Sequence, residues 1–83
     1  LEMISMHDQF RQFLLKNFYV TDASTLLDDT SLMDSGIVDS TGMLEIIGFI
    51  EESFGVRIAD ADMVPENLDS IGQVVAFVQR KLG

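Results

Sequence analysis

Cysteine is absent from this chain of 83 residues, and proline and histidine occur only once each. Without cysteine the chain has no disulfide and no cysteine-based metal site, so the fold depends on the packing of its core. The single histidine, His7, has no cysteine or second histidine with which to form a metal site. No apolar run approaches the roughly 20 residues of a membrane-spanning helix, so no membrane span is predicted.

Basic residues are also scarce. Five lysines and arginines stand against 14 acidic residues, which gives a net charge of −9. The imbalance is strongest in residues 19–39, where there are five aspartates and no base. Such a surface repels nucleic acid and anionic membranes and attracts basic patches on proteins. We therefore expect protein partners and no nucleic acid, although a solvated acidic face that confers solubility is the alternative interpretation.

The length is that of one small domain, so residues 1–83 are expected to form a single unit around one core. Leu1 and Glu2 precede Met3 and are interpreted as a cloning scar. Because the first residues include Glu2 and no basic segment, no signal peptide is predicted, and a cytoplasmic monomer is expected. Whether the domain is free-standing or has been excised from a longer protein stays open.

The segment from Asp39 to Phe54 has the clearest helical pattern. Its apolar residues share one face, namely Met43, Ile46, Ile47, Ile50 and Phe54. The opposite face is not apolar and consists of Thr41, Glu45, Gly48 and Glu52. Asp39 is a good N-cap residue, and Gly55 is expected to end the helix. Ser40 would then lie at the positive end of a helix, after a loop hinged at Gly36. That position favours a negatively charged group such as a phosphodiester.

The remaining segments predict helices and one long loop. Residues 3–18 predict a first helix, and residues 19–39 predict a connection that apolar residues pin across the bundle, namely Leu26, Leu27, Leu32 and Met33. A short helix is predicted from Asp60 to about Val64, where Pro65 interrupts it. Asp69 and Ser70 cap a last helix that reaches Leu82. The predicted fold is all-α, a small antiparallel four-helix bundle with three longer helices, one short helix and a long first loop.

The chain resembles acyl carrier proteins in two places. One is the run Gly36-Ile37-Val38-Asp39-Ser40, and the other is the end of the following helix, Glu51-Glu52-Ser53-Phe54-Gly55-Val56. The chain is also similar to the related peptidyl and D-alanyl carriers, and the resemblance extends from about Phe10 to Leu82. In that family, the serine after the aspartate carries 4′-phosphopantetheine, and the position maps onto Ser40. Two other Asp-Ser pairs compete: Ser35 lies in a loop, and Ser70 is explained as the start of a helix.

The resemblance implies a carrier without catalytic residues. A phosphopantetheinyl transferase uses Mg²⁺ and coenzyme A to modify the serine, and the arm then carries an acyl or aminoacyl group as a thioester. A loading ligase and downstream acyl-transferring enzymes with basic patches are the implied partners. The residues that match partner-binding positions are Asp39, Leu44, Glu45, Glu51 and Glu52. Consistently, Ser40 has no histidine near it in the sequence, and the Gly-x-Ser-x-Gly pattern of nucleophilic serines is absent.

Three residues depart from the family pattern. Thr41 replaces the usual leucine, Gly42 stands where many members have an acid, and Gly48 stands where a larger apolar residue is common. These departures indicate a specialised carrier rather than the housekeeping carrier of fatty acid biosynthesis, and the small acidic single domain suggests a free-standing one. One hypothesis is that Gly48 widens access to a cavity between helices. The carried group and the pathway, whether lipid or secondary-metabolite biosynthesis, stay open.

Two other classes of protein are alternatives to a carrier. An EF-hand calcium site fails, because Asp60-x-Asp62 is followed by Val64 and Pro65 instead of the required glycine and later glutamate. An unmodified acidic helical adaptor that binds a basic protein partner is the remaining alternative.

Overall fold

The computed structural model describes residues 4–83, which form helices joined by loops, and these residues contain no strand. The α-helices are α1 (Met6–Asn17), α2 (Ser40–Phe54), α3 (Pro65–Leu68) and α4 (Ile71–Leu82). Two 3₁₀ turns, Ala23–Thr25 and Asp60–Asp62, lie in the connections. The predicted all-α fold with three longer helices and one short helix is confirmed. The interpretation of Leu1 and Glu2 as a cloning scar lies outside the described residues.

Each longer helix begins at a side chain that caps its first turn. The capping residues are Ser5, Asp39 and Ser70, whose side-chain oxygens accept the backbone N–H groups of Asp8, Gly42 and Gln73. The sequence predicted the Asp39 cap of α2 and the Ser70 cap of α4 correctly, but Asp69, which it included in the cap of α4, does not cap that helix. It predicted that the first helix begins at residue 3, which is too early: Ser5 is extended, and Met6 is the first helical residue.

The short helix lies later than predicted. Residues Asp60–Asp62 form only a 3₁₀ turn, and Pro65 begins α3 instead of interrupting a helix. Proline suits the first helical position, because the N–H that it lacks would have no partner there and its φ is already helical. Asp62 closes the 3₁₀ turn: it pairs with Lys81 of α4 at 2.7 Å and accepts the Ala59 N–H. These two hydrogen bonds lower the pKa of the Asp62 carboxyl.

The core is formed by α1, α2 and α4 together with Leu68 of α3 and residues from the loops. On α2, Ile46 and Ile50 are buried, while the residues of the opposite face are exposed, as the pattern predicted. Five of the six phenylalanines form a continuous set of ring contacts. The closest pair, Phe13 and Phe49, joins α1 to α2 with ring centroids 4.2 Å apart.

The long connection is held by backbone hydrogen bonds to α4 and to Asp69, the residue before its cap, and by side-chain contacts of Asp69 and Arg11. The Gly72 N–H donates to the Asp28 carbonyl at 2.8 Å, and Arg11 of α1 pairs with the Asp28 carboxylate. Of the four apolar residues predicted to pin the connection, Leu26 and Leu32 are buried. The prediction is wrong for the other two, since Leu27 is 57% exposed and Met33 is 43% exposed.

Two glycines of α2 should respond differently to substitution by alanine. An added Cβ at the exposed Gly48 meets nothing within 4 Å, so Gly48→Ala should stabilise the fold by up to about 1 kcal/mol through helix propensity. At the buried Gly42, the Cβ would lie 2.6 Å from Cε1 of Phe18, and displacement of that ring should cancel or reverse the gain. Urea unfolding followed by circular dichroism measures both effects. Equal stabilisation by the two variants would show that Phe18 does not fill this space.

Candidate functional site

Ser40 is the first residue of α2, and it is exposed. The carboxylate of Asp39 accepts the Gly42 N–H at 2.7 Å, which fixes the start of the helix. The N–H groups of Ser40 and Thr41 have no acceptor within the helix, because no turn precedes them. Together with the helix dipole they favour an anion. The exposed Ser40 hydroxyl therefore suits a phosphate ester, and the neighbouring groups fit one.

The loop before Ser40 has a defined shape. Gly36 adopts the left-handed conformation, with φ +79°, in which a side chain would be strained. After this turn the Val38 N–H donates to the Leu32 carbonyl at 3.1 Å. Because Val38 is buried immediately before Asp39, the chain is anchored where it enters α2.

A cleft of about 280 Å³ opens beside Ser40, between α2 and α3. Ser40 lies in its wall, and three methionines, Met33, Met43 and Met63, contribute to a lining that is mostly apolar. Methionine side chains are flexible and polarizable, so such a cleft adapts to apolar groups of different shape. Gly48 is exposed and does not line this cleft. The hypothesis that Gly48 widens access to a cavity does not apply to this cleft.

The five residues that matched partner-binding positions are not equally available. Leu44 is 69% exposed, and Glu45 and Glu52 are exposed as well. Glu51 has a structural contact that the sequence did not reveal, because its Oε2 accepts the Ile58 N–H at 3.0 Å and holds the segment after α2. Asp39 is exposed, although one of its oxygens caps the helix. Leu44 and Glu45 therefore offer the most accessible surface near Ser40.

The two competing serines have different surroundings. Ser70 is only 6% exposed, and its hydroxyl caps α4. Ser35 is exposed, but it lies in the loop, and its hydroxyl donates to the Leu32 carbonyl at 3.2 Å. Of the three serines, only Ser40 is both exposed and at the start of a helix, and it alone lines the apolar cleft.

Sequence reasoning missed the role of Asp69. It interpreted Asp69 together with Ser70 as the start of α4, but the Asp69 carboxylate accepts hydrogen bonds from Ser31 and Met33 in the long connection. These partners are 38 and 36 residues away in the chain. No local spacing signals a contact of that range.

Within residues 4–83, no group of three histidine or acidic side chains is arranged to hold a metal ion. In the same part of the chain, no helix has the length and apolar character needed to cross a membrane.

Comparison with known proteins points to one family. The family model described as a phosphopantetheine attachment site matches residues 8–78. An acyl carrier protein of Thermotoga maritima is 31% identical over 62 residues, which cover 75% of this chain and 74% of the relative. A D-alanyl carrier protein of Abiotrophia defectiva is 33% identical over 54 residues, covering 65% of this chain and 68% of the relative.

A solved structure has a similar fold. In a crystal structure of an FAD-dependent dehydrogenase, one chain superposes with a TM-score of 0.67 and 25% sequence identity. The match covers 86% of this chain and 94% of that chain, so the two are of similar length.

Proposed function

This chain belongs to the acyl carrier protein family, whose members carry 4′-phosphopantetheine and are not enzymes, and we propose that Ser40 is its attachment residue. The observation that carries this proposal is the position of Ser40, exposed at the capped start of α2 and beside an apolar cleft. When bound, the group supplies a thiol on a flexible arm, on which an acyl or aminoacyl cargo is held as a thioester. The chain itself has no cysteine and hence no thiol of its own.

The residues around Ser40 have distinct roles in this proposal. Asp39 fixes the first turn of α2, so the N–H groups of that turn stabilise the phosphate of the ester. The cleft lined by Met33, Met43 and Met63 shields apolar parts of the arm or the cargo from water. No side chain of this site performs a chemical step; the modifying and loading enzymes supply the catalysis.

We propose that α2 is also the docking surface for partner enzymes. Leu44 supplies an apolar contact, while Glu45 and Glu52, with Asp39, attract basic patches on the phosphopantetheinyl transferase, the loading ligase and the acyl-transferring enzymes. Such electrostatic attraction speeds association without strong binding, which suits a carrier that visits several enzymes. Glu51 contributes less, because its carboxylate already accepts the Ile58 N–H.

The organisation of the protein is part of the same proposal. The chain acts as a single carrier domain, a cytoplasmic monomer that serves a specialised pathway. Relatives named for acyl and for D-alanyl groups both match the chain. The cargo class is therefore an acyl or aminoacyl group.

Because the chain contains no cysteine, a thiol assay reports the modification directly. We expect the chain to show no thiol before treatment and one thiol afterwards, when it is incubated with coenzyme A, Mg²⁺ and a broad-specificity phosphopantetheinyl transferase. Intact mass should rise by one phosphopantetheine. If the folded chain gains neither mass nor thiol with several transferases, the carrier proposal fails. The adaptor alternative would then predict that Ser40→Ala leaves binding to a basic protein partner unchanged.

A further inference from the structure

Asp69, between α3 and α4, contacts three consecutive residues of the long connection. Its Oδ2 accepts the Ser31 hydroxyl at 2.5 Å, and its Oδ1 accepts the Met33 N–H at 3.0 Å. Its backbone carbonyl accepts the Leu32 N–H at 2.7 Å. Charged acceptors form stronger hydrogen bonds than neutral ones, so the carboxylate contributes a large share of this attachment. The connection is thereby fixed to the end of the bundle that contains α3.

The attachment continues towards Ser40 through a short series of contacts. The Ser31 hydroxyl also accepts the Asp34 N–H at 3.1 Å, so the turn that begins at Ser31 closes on the Asp69 carboxylate. The Leu32 carbonyl accepts the Val38 N–H at 3.1 Å. Val38 directly precedes the Asp39 cap, and it is buried.

The same contacts shape the cleft beside Ser40. Met33, whose N–H donates to Asp69, forms part of the cleft wall, and Asp69 and Ser40 also line it. A change in the position of the Ser31–Met33 segment would therefore move the wall of the cleft and the residues that lead to Ser40 together.

We propose that Asp69 is a positioning residue for the modification of Ser40. Its carboxylate holds the loop from Ser31 to Val38 in the conformation that presents the Ser40 hydroxyl to the transferase. This inference rests on the proposed function, because it takes Ser40 as the attachment residue. Asp69 does not cap α4, since Ser70 does, and the Leu32–Asp69 bond uses only backbone atoms. Loss of the carboxylate should therefore loosen the loop and leave the helices in place.

The test compares Asp69→Ala with the parent in transferase kinetics. A loosened loop presents Ser40 correctly only part of the time, which reduces the apparent affinity by the same fraction. We expect KM for the carrier to rise by about tenfold with kcat nearly unchanged, as for the loss of one or two hydrogen bonds to a charged group. Amide hydrogen exchange at Met33, Asp34 and Val38 should accelerate, while exchange in α4 stays as in the parent.

Three variants serve as controls. Asp60→Ala removes a carboxylate that is exposed and forms no side-chain hydrogen bond in residues 4–83, so it should leave KM within about twofold of the parent. Asp69→Asn keeps an oxygen for the Met33 N–H but loses the charge, so its rise in KM should be smaller than that of Asp69→Ala. Ser31→Ala removes one of the two side-chain bonds and should give a smaller rise in KM, which keeps the test decisive if Asp69→Ala does not fold.

Two results would overturn the role of Asp69. One is that Asp69→Ala or Ser31→Ala has the same KM and the same amide exchange at Met33 as the parent. The other is an equal rise in KM for Asp60→Ala, which would assign the effect to charge alone. If the parent gains no phosphopantetheine, the proposed function itself fails. Unchanged exchange at Met33 in Asp69→Ala would separately refute the attachment of the loop.

Discussion

Ser40→Ala is expected to abolish the gain of phosphopantetheine completely. The Ser40 hydroxyl oxygen is the atom that would form the ester, and alanine has no atom to replace it. Ser40 is exposed at the first position of α2, and Asp39 rather than Ser40 caps the helix. Alanine is also the best helix former, so the variant should fold as the parent does. Loss of modification would then report chemistry and not unfolding.

The measurement is intact mass after incubation with coenzyme A, Mg²⁺ and the transferase, with circular dichroism to verify the fold. Ser35→Ala is the matched control, because Ser35 is the other exposed serine that follows an aspartate in this region. We expect Ser35→Ala to gain one phosphopantetheine, as the parent does. Full modification of Ser40→Ala, with none in Ser35→Ala, would move the attachment to the loop. Modification of both variants would place it elsewhere in the chain.

The limits of α2 could be read from the sequence because local chemistry determines them. Asp39 accepts an N–H three residues ahead, and Gly55 ends the helix with φ +69°. Both signals are complete within a few neighbouring residues. The resemblance to carrier proteins rests on the same segment. The family and the candidate serine at the start of α2 were therefore predictable from the residues that flank this helix.

The short helix shows where local signals mislead. Asp60 is a good capping residue, but the Asp62 carboxylate accepts the Ala59 N–H and closes a 3₁₀ turn instead. Pro65 was interpreted as a helix breaker, although at the first helical position it starts a helix. The residue types were consistent with both arrangements. The arrangement that forms is accompanied by contacts between residues that are remote in sequence, such as the pair of Asp62 with Lys81.

Roles that depend on remote partners could not be predicted. Glu51 appeared to be one of several surface acids, but it accepts the Ile58 N–H. Asp69 appeared to be part of a helix cap, but it binds Ser31 and Met33. Burial in the long connection was equally hidden, since a loop has no periodicity to distinguish Leu26 from its exposed neighbour Leu27.

Gly42 shows how packing can explain a departure from the family pattern. In the sequence it appeared to be a missing acid near Ser40. In the structure the Phe18 ring occupies the space that a side chain would need. Phe18 also contacts Phe13, with ring centroids 6.0 Å apart, so the start of α2 is packed against the aromatic core. The geometry of the candidate site thus depends on that core.

Phe10→Ala is expected to remove a large part of the stability of this fold. The Phe10 side chain is 0% exposed, and its ring centroid lies 6.2 Å from that of Phe13 and 6.0 Å from that of Phe49. Truncation of a buried phenylalanine costs about 3–5 kcal/mol. A domain of this size has a total stability of only about 4–12 kcal/mol. The melting temperature should therefore fall by about 12–40 °C.

Thermal unfolding followed by circular dichroism measures this effect, and Tyr19→Ala is the matched aromatic control. Tyr19 is 83% exposed, so its truncation should change the free energy of unfolding by no more than about 0.5 kcal/mol. Below its lowered melting temperature, Phe10→Ala should still gain phosphopantetheine, because the ring lies in the core and not beside Ser40. A loss of stability no larger than that of Tyr19→Ala would contradict the packing of α1 against α2. Loss of modification in a folded Phe10→Ala chain would instead show that the core determines the presentation of Ser40 more directly than its contacts indicate.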